Sequence, residues 1–322
     1  TFTSTGKKIY TAVVAAANSA DEAEHSDTAE EVLAALVVEF KHAVSGTIGE
    51  NFSVGMSLDL SALPDGTDLS GLKVVVSTKT GTRELPVGAD GKIDIVLNPE
   101  ELTMPLNPEL YCGSTKLDDR SDNPNFSAAA YIKALASSDQ ATPEMKAMLT
   151  GLLEYGAAAQ QYFNYRLNDL ANADAYKFEG YGAPDYADPA KTDQNYAAGT
   201  DVRIRYANLY LQNDKVLIQF NVVAPVGSEY TLTDELSASV NGTTDQLSYT
   251  VRTGALNMSD LAGKVYTLVV TNGSDESHVT YSVANYVYNK VHDDNTGEAM
   301  KNLAKALWVY SNAAGAYAVA TP

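Results

Sequence analysis

The residues able to do chemistry are few and scattered. His25, His42, His278 and His292 are the only histidines, and no two stand four apart, the spacing that sets both rings on one helix face over a zinc ion. No His-Glu-x-x-His run occurs, so each histidine reads as a surface or loop residue. Cys112 is the sole cysteine, which excludes an internal disulfide and a thiolate-rich metal site. Its apolar, strand-like neighbourhood (Leu110, Tyr111) predicts a buried, inert thiol. Neither the Gly-x-Ser-x-Gly elbow of a serine nucleophile nor the Gly-x-x-x-x-Gly-Lys-Ser/Thr phosphate cradle is present. The 41 acids leave room for a carboxylate pair of the kind that cleaves glycosidic bonds, because such pairs come from distant positions. A solvated acidic surface is the plainer reading.

Two stretches are rich enough in oxygen to hold calcium, residues 117–123 (Leu-Asp-Asp-Arg-Ser-Asp-Asn) and 292–298 (His-Asp-Asp-Asn-Thr-Gly-Glu). Neither has the alternating spacing of a calcium-binding helix-loop-helix, and turn or cap use of Asp and Asn competes with a metal role. Aromatic residues offer more for binding. Tyr176, Tyr181, Tyr186 and Tyr196 stud a segment of Gly, Pro and Asp, where flat rings beside carboxylates suit stacking on sugars or anchoring a protein. Packing that segment onto its neighbours is the competing use of the same rings. Trp308, the only tryptophan, is a candidate interface anchor or a core residue.

The elements that must position these residues show in the periodicity. Apolar residues alternate over 52–60, at Leu72, Val74 and Val76, and at Ile93 and Ile95. The same pattern returns at Val202, Ile204 and Tyr206, over 216–222, at Leu247, Tyr249 and Val251, and at Val265, Thr267 and Val269. Period two marks strands with one buried face. Asp90-Gly91, Asn241-Gly242 and Asn272-Gly273 readily take the positive φ that two-residue hairpin turns need, so the sheets are expected to be antiparallel.

Each half then closes with helical patterns. Ser127 and Ser282 stand where an N-cap hydroxyl accepts the first free N–H groups, and Thr142-Pro143-Glu144 opens a second helix with a cap, a first-turn proline and an acid. Eleven of the forty residues in 126–165 recur without a gap in 281–320, at an offset of 155. Among the pairs are Ser127 with Ser282, Tyr131 with Tyr286, Leu152 with Leu307, Tyr155 with Tyr310, and Tyr162 with Tyr317. Almost all are apolar, small or helix-start residues, so the duplication speaks for architecture, and the paired tyrosines 155, 162, 310 and 317 of the second helix are expected in the core. Gly151 and Gly156 inside a helix cost about 1 kcal/mol each relative to alanine. With Ala157, Ala158 and Ala159, and with Ser311, Ala313, Ala314 and Gly315 in the other copy, they form a face without bulk, on which two helix backbones can approach to about 8 Å. The expectation is that the two terminal helices pack on each other there and join the halves.

The predicted fold is therefore α+β: two related antiparallel, sandwich-like sheet units, each ending in a helical pair. Residues 1–45 form an N-terminal segment with a helix opened by Thr28 and Glu31, 46–172 the first unit, 173–200 a linker, and 201–322 the second unit. A net charge of −19 without any basic stripe repels phosphate backbones and anionic lipid, which argues against nucleic acid as a partner. No run of eighteen apolar residues is present to span a membrane. Thr at position 1 fits a chain from which a leader or a neighbouring domain has been removed.

The run Leu153-Glu154-Tyr155-Gly156-Ala157-Ala158-Ala159-Gln160-Gln161-Tyr162-Phe163-Asn164-Tyr165, followed by Asn168-Asp169-Leu170-Ala171-Asn172, resembles a signature of large secreted and cell-surface proteins of gut Clostridia and related Firmicutes. There it closes a strand-rich module, and Ala306, Leu307 and Tyr310 in the second half are similar to that family too. The resemblance implies a secreted or surface-bound, Gram-positive, gut-associated setting, within multidomain proteins, and no known reaction. The reading drawn from all this is a non-catalytic binding or adhesion module with a host glycan or host protein as partner. A structural spacer or assembly domain is the alternative, and a carbohydrate-active enzyme a third.

Overall fold

Over their described residues, the runs of alternating apolar residues fall on strands. The computed structural model describes residues 45–48, 52–57, 70–118, 127–173, 184, 194–195, 201–212, 215–233, 239–241 and 248–320. In the first half the order is β1 (Ser45–Ile48), β2 (Phe52–Ser57), β3 (Leu72–Thr78), β4 (Gly81–Pro86), β5 (Lys92–Val96), β6 (Glu109–Cys112) and β7 (Thr115–Asp118), then α1 (Ala128–Ala136) and α2 (Pro143–Tyr162). After the two-residue β8 (Gln194–Asn195), the second half repeats the sequence of elements. It runs β9 (Arg203–Gln212), β10 (Lys215–Val223), β11 (Glu229–Leu232), β12 (Ser239–Asn241), β13 (Ser248–Arg252), β14 (Val265–Asn272), β15 (Asp275–Ser282), α3 (Val283–His292) and α4 (Glu298–Ala320). The chain is α+β, with antiparallel sheets and helices, as the periodicity predicts. The expected helix near Thr28 and Glu31 lies outside the described residues.

The repeat extends to strand pairing. In the first half the sheets run β1-β2-β5 and β4-β3-β6-β7; in the second they run β12-β13-β10-β9 and β11-β14-β15-β8. Matching the seven strands in order, first with second, third with sixth and sixth with seventh pair alike in both copies. Only the fourth strand differs, since β4 joins β3 whereas β12 joins β13. The second arrangement has the four-plus-three strand order of an immunoglobulin-type sandwich, and the first has the variant in which the fourth strand changes sheet. The short β8 adds itself to the edge of β15, through His278 opposite Asn195.

Two compact units emerge: one built mainly on Phe52–Leu97 and Glu101–Tyr131, the other on Ile132–Pro322. In the first, Leu72, Val74, Val76, Ile95 and Leu110 are fully or nearly fully buried between the two sheets, and Arg83 Nη2 donates across them to the Val96 carbonyl at 2.6 Å. Cys112 is buried there as well. In the second, Ile204, Ile218, Phe220, Val251, Leu268 and Val270 form the core, and the Ile204 N–H donates to Ser277 Oγ of the facing sheet at 3.3 Å.

The turns divide by chemistry. Gly273, at φ +64°, closes the β14–β15 hairpin between Asn272 and Asp275, as expected. Asp90-Gly91 does not close a hairpin: β4 pairs with β3 and β5 with β2, so this turn carries the chain from one sheet to the other. Two sequence assignments of face are corrected. A β-bulge in the β9–β10 pairing leaves Arg205 without an opposite residue, so Tyr206 turns outward and is 50% exposed instead of joining Ile204 in the core. On β14 the buried set is Tyr266, Leu268 and Val270, while Val265 is 38% exposed.

The helix caps are where the sequence places them. Ser127 Oγ accepts from Ala130 N–H, and Thr142 Oγ1 from Met145 N–H. Ser282 and Asn285 exchange bonds in a capping box. The two long helices α2 and α4 pack on each other, both within the second unit. A Cβ on Gly151 would stand 3.1 Å from Tyr310 Cα, which explains why this position carries glycine inside a helix. Equivalent tyrosines of the two copies meet here, Tyr155 and Tyr310, with ring centres 6.0 Å apart and planes 23° from parallel.

Candidate functional site

The signature run that closes α2 turns out to build architecture. Asn164 adopts φ +52°, Tyr165 N–H donates to the Gln160 carbonyl at 2.8 Å and Asn164 N–H to the Gln161 carbonyl at 3.3 Å, the bonding of a Schellman end with asparagine in the left-handed position. The Gln160 side chain is fully buried. Its Nε2 donates to the Asp169 carbonyl at 2.9 Å, and its Oε1 accepts from Ala171 N–H at 2.8 Å. Arg166, also at positive φ, is tied to Asp169 by a 2.6 Å ion pair. Glutamine, asparagine and the Asn-Asp-Leu-Ala stretch thus fold one loop back onto its own helix.

Of the candidate ligand residues, Trp308 alone is among the described ones. Tyr176, Tyr181, Tyr186 and Tyr196 lie outside the described residues. Trp308 is half-buried on α4, and its carbonyl accepts from Ser311 Oγ and Asn312 Nδ2. Of the paired tyrosines expected in the core, Tyr155 and Tyr310 are core residues, Tyr317 is half-buried and Tyr162 is 45% exposed against Phe163, which corrects its expected burial. Tyr162 stands at the last position of α2, where the chain turns away and covers less of it.

In the second acidic loop, Asp293 spends its carboxylate oxygens within the loop. Asp293 accepts from the backbone and side-chain nitrogens of Asn295 and from Thr296 Oγ1, and the backbone bond is the main cause holding its carboxyl below the ordinary aspartate range. Among the described residues no group of three or more His, Cys, Asp or Glu side chains is placed to hold a metal ion. His278 contacts Glu276 on β15, and His292 stacks on Tyr288 at the end of α3.

Among the described residues, a polar surface that periodicity did not single out is the outer face of β9, β10 and β13. Register places Tyr206, Asn221 and Thr250 in one row across three strands and Asn208, Gln219 and Arg252 in the next. Ile204, Ile218, Phe220 and Val251, at alternating positions, are fully buried, so these rows face outward. Arg252 Nε donates to Gln219 Oε1 at 2.8 Å, and the guanidinium carbon stands 4.3 Å from the centre of the Tyr210 ring. The result is a flat face of amides, one ordered guanidinium and tyrosine rings. A signal in the sequence does exist: β9, β10, β12 and β13 hold no Asp or Glu, in a chain with 41 of them. No helix among the described residues is long and apolar enough to cross a membrane. No protein-family model matches the chain, and no curated protein matches its sequence.

Proposed function

We propose that the chain is a non-catalytic, extracellular binding or adhesion module of a bacterial surface or secreted protein, and that it takes a glycan on the outer face of β9, β10 and β13. The observation that carries this reading is the row structure of that face: exposed Tyr206 beside Asn208 and Asn221, with Arg252 held in place by Gln219 and Tyr210. Sugars demand this combination. A pyranose has an apolar C–H face that lies on an aromatic ring, and a rim of hydroxyls that both donate and accept, which amide side chains match. A rigid sheet also presents such groups without the ordering cost of a loop. The resemblance of the α2 signature to surface proteins of gut Firmicutes supports the setting, and a host protein is the other partner class of that setting.

Array screening of the chain against plant, mucin and bacterial glycans is expected to return a defined set of binders, and Tyr206→Ala is expected to weaken them by about tenfold or more through loss of stacking. Retained binding in Tyr206→Ala moves the site off this face. Silence on glycans with capture of a host protein through the same face replaces the ligand class.

A further inference from the structure

We infer that Arg252 selects an acidic sugar, a pyranose bearing a carboxylate, on the face of β9, β10 and β13; the inference rests on the binding reading above and names its ligand. The guanidinium is fixed twice. Its Nε edge is tied to Gln219 Oε1 at 2.8 Å, and one of its flat faces is covered by Tyr210 at 4.3 Å. What remain are Nη1 and Nη2, which carry four of the five N–H donors and two of them on their shared edge, for which the described residues supply no acceptor. Two parallel N–H groups on one edge are the geometry that matches the two oxygens of a carboxylate. Because Gln219 and Tyr210 already hold the plane, a ligand meets a fork that loses little further freedom on binding.

The surroundings favour an anion. No strand of this sheet contributes Asp or Glu, so the carboxylate that would normally neutralise such an arginine is not provided by its neighbours on the sheet. Arg203, exposed on β9 one row beyond Tyr206, adds a second positive charge to the same face. The chain's net charge of −19 disfavours long polyanions, and confines attraction to an anionic group small enough to stay over these arginines. Beside the fork, Tyr206 offers its ring to the sugar plane, and Asn208 and Asn221 offer amides to the hydroxyls. A neutral sugar would use the tyrosine and the amides and leave the fork to water.

The test is titration calorimetry of the full chain with three matched oligosaccharides: one containing a uronic acid, the same one with its carboxyl reduced to the alcohol, and a sulfated neutral one. The expected result is binding of the uronate, a loss of tenfold or more on carboxyl reduction, and a weakening of the uronate complex as salt is raised. Arg252→Lys keeps the charge but not the fork, and is expected to lose about tenfold for the uronate and clearly less for the reduced sugar. Gln219→Ala frees the guanidinium and is expected to weaken the uronate more than the reduced sugar, a difference that a simple folding defect would not produce. Equal binding of acid and alcohol, with no effect of Arg252→Lys, overturns the assignment and leaves the glycan reading standing. Preference for the sulfated sugar overturns the carboxylate in favour of sulfate. Failure of every sugar, neutral ones included, overturns both.

Discussion

Gln160 is fully buried, and both ends of its amide meet the backbone of the loop that follows α2. Its counterpart in the duplicated helix is Gly315, and the counterpart of Asn164, the left-handed end residue, is Val319. A β-branched valine does not take positive φ, and no amide is there to hold a returning loop, so α4 runs on to Ala320 where α2 stops at Tyr162. Gln160→Leu is about the same size but leaves the buried Ala171 N–H without its acceptor, a loss of roughly 2 kcal/mol or more. Chemical denaturation should register that loss, and amide exchange at Ala171 and Tyr165 should accelerate before the rest of the second unit opens. Unchanged protection at Ala171 would show that the clamp is not what holds the loop. Arg252 and Tyr206 teach the converse lesson. Their chemistry is plain once the register is known, but the bulge at Arg205 inverts the face on which Tyr206 lies, and strict alternation cannot report an extra residue.

At the scale of elements, the buried tyrosines of the helices and of the end of β15 make stability depend on alkaline pH. Burial is the main cause that pushes the hydroxyl of Tyr286 on α3 up to about 12, and it raises those of Tyr155, Tyr310 and Tyr281 further still. A proton held more tightly in the fold than in the unfolded chain stabilises the fold fully below the ordinary value near 10. That contribution is lost as pH rises from 10 through the folded values, since the unfolded chain releases its protons first. Tyr286 alone accounts for roughly 2 to 3 kcal/mol across that window. Melting temperatures should therefore hold to about pH 9 and fall steeply between 10 and 12, with a shallower fall in Tyr286→Phe. A flat profile in the wild-type chain would mean that water reaches these hydroxyls. The strands and helix starts were legible because period two and hydroxyl caps are local signals. Which strands share a sheet was not: the fourth strand joins different sheets in the two copies, a choice made by long-range pairing. The hairpins Gly113-Ser114 and Gly273-Ser274 are equivalent in the two copies, yet their offset of 160 hides them from a comparison at 155.

For the whole molecule, the duplication matters through the helix that changes company. α2 belongs to the first sequence copy, but it packs on α4 and is counted in the second unit, buried at nearly every position from Met148 to Gln160. The contact brings equivalent residues together, Tyr155 on Tyr310, as in an isologous pairing of two identical surfaces. The face of α4 that includes Leu303, Leu307, Tyr310 and Ala314 is therefore shaped to receive a helix with glycine at position 151, and nothing among the described residues of 201–322 replaces it. A chain of residues 132–322 should unfold in one cooperative transition. A chain of residues 201–322 should expose the apolar side of α4, associate, and melt broadly or not at all. Adding a peptide of residues 140–173 to the shorter chain should restore a sharp transition whose midpoint rises with peptide concentration, because the peptide binds the folded form alone. Equal cooperativity and equal melting temperature in the two chains would refute this account, and would place the true domain boundary after α2 instead of before it.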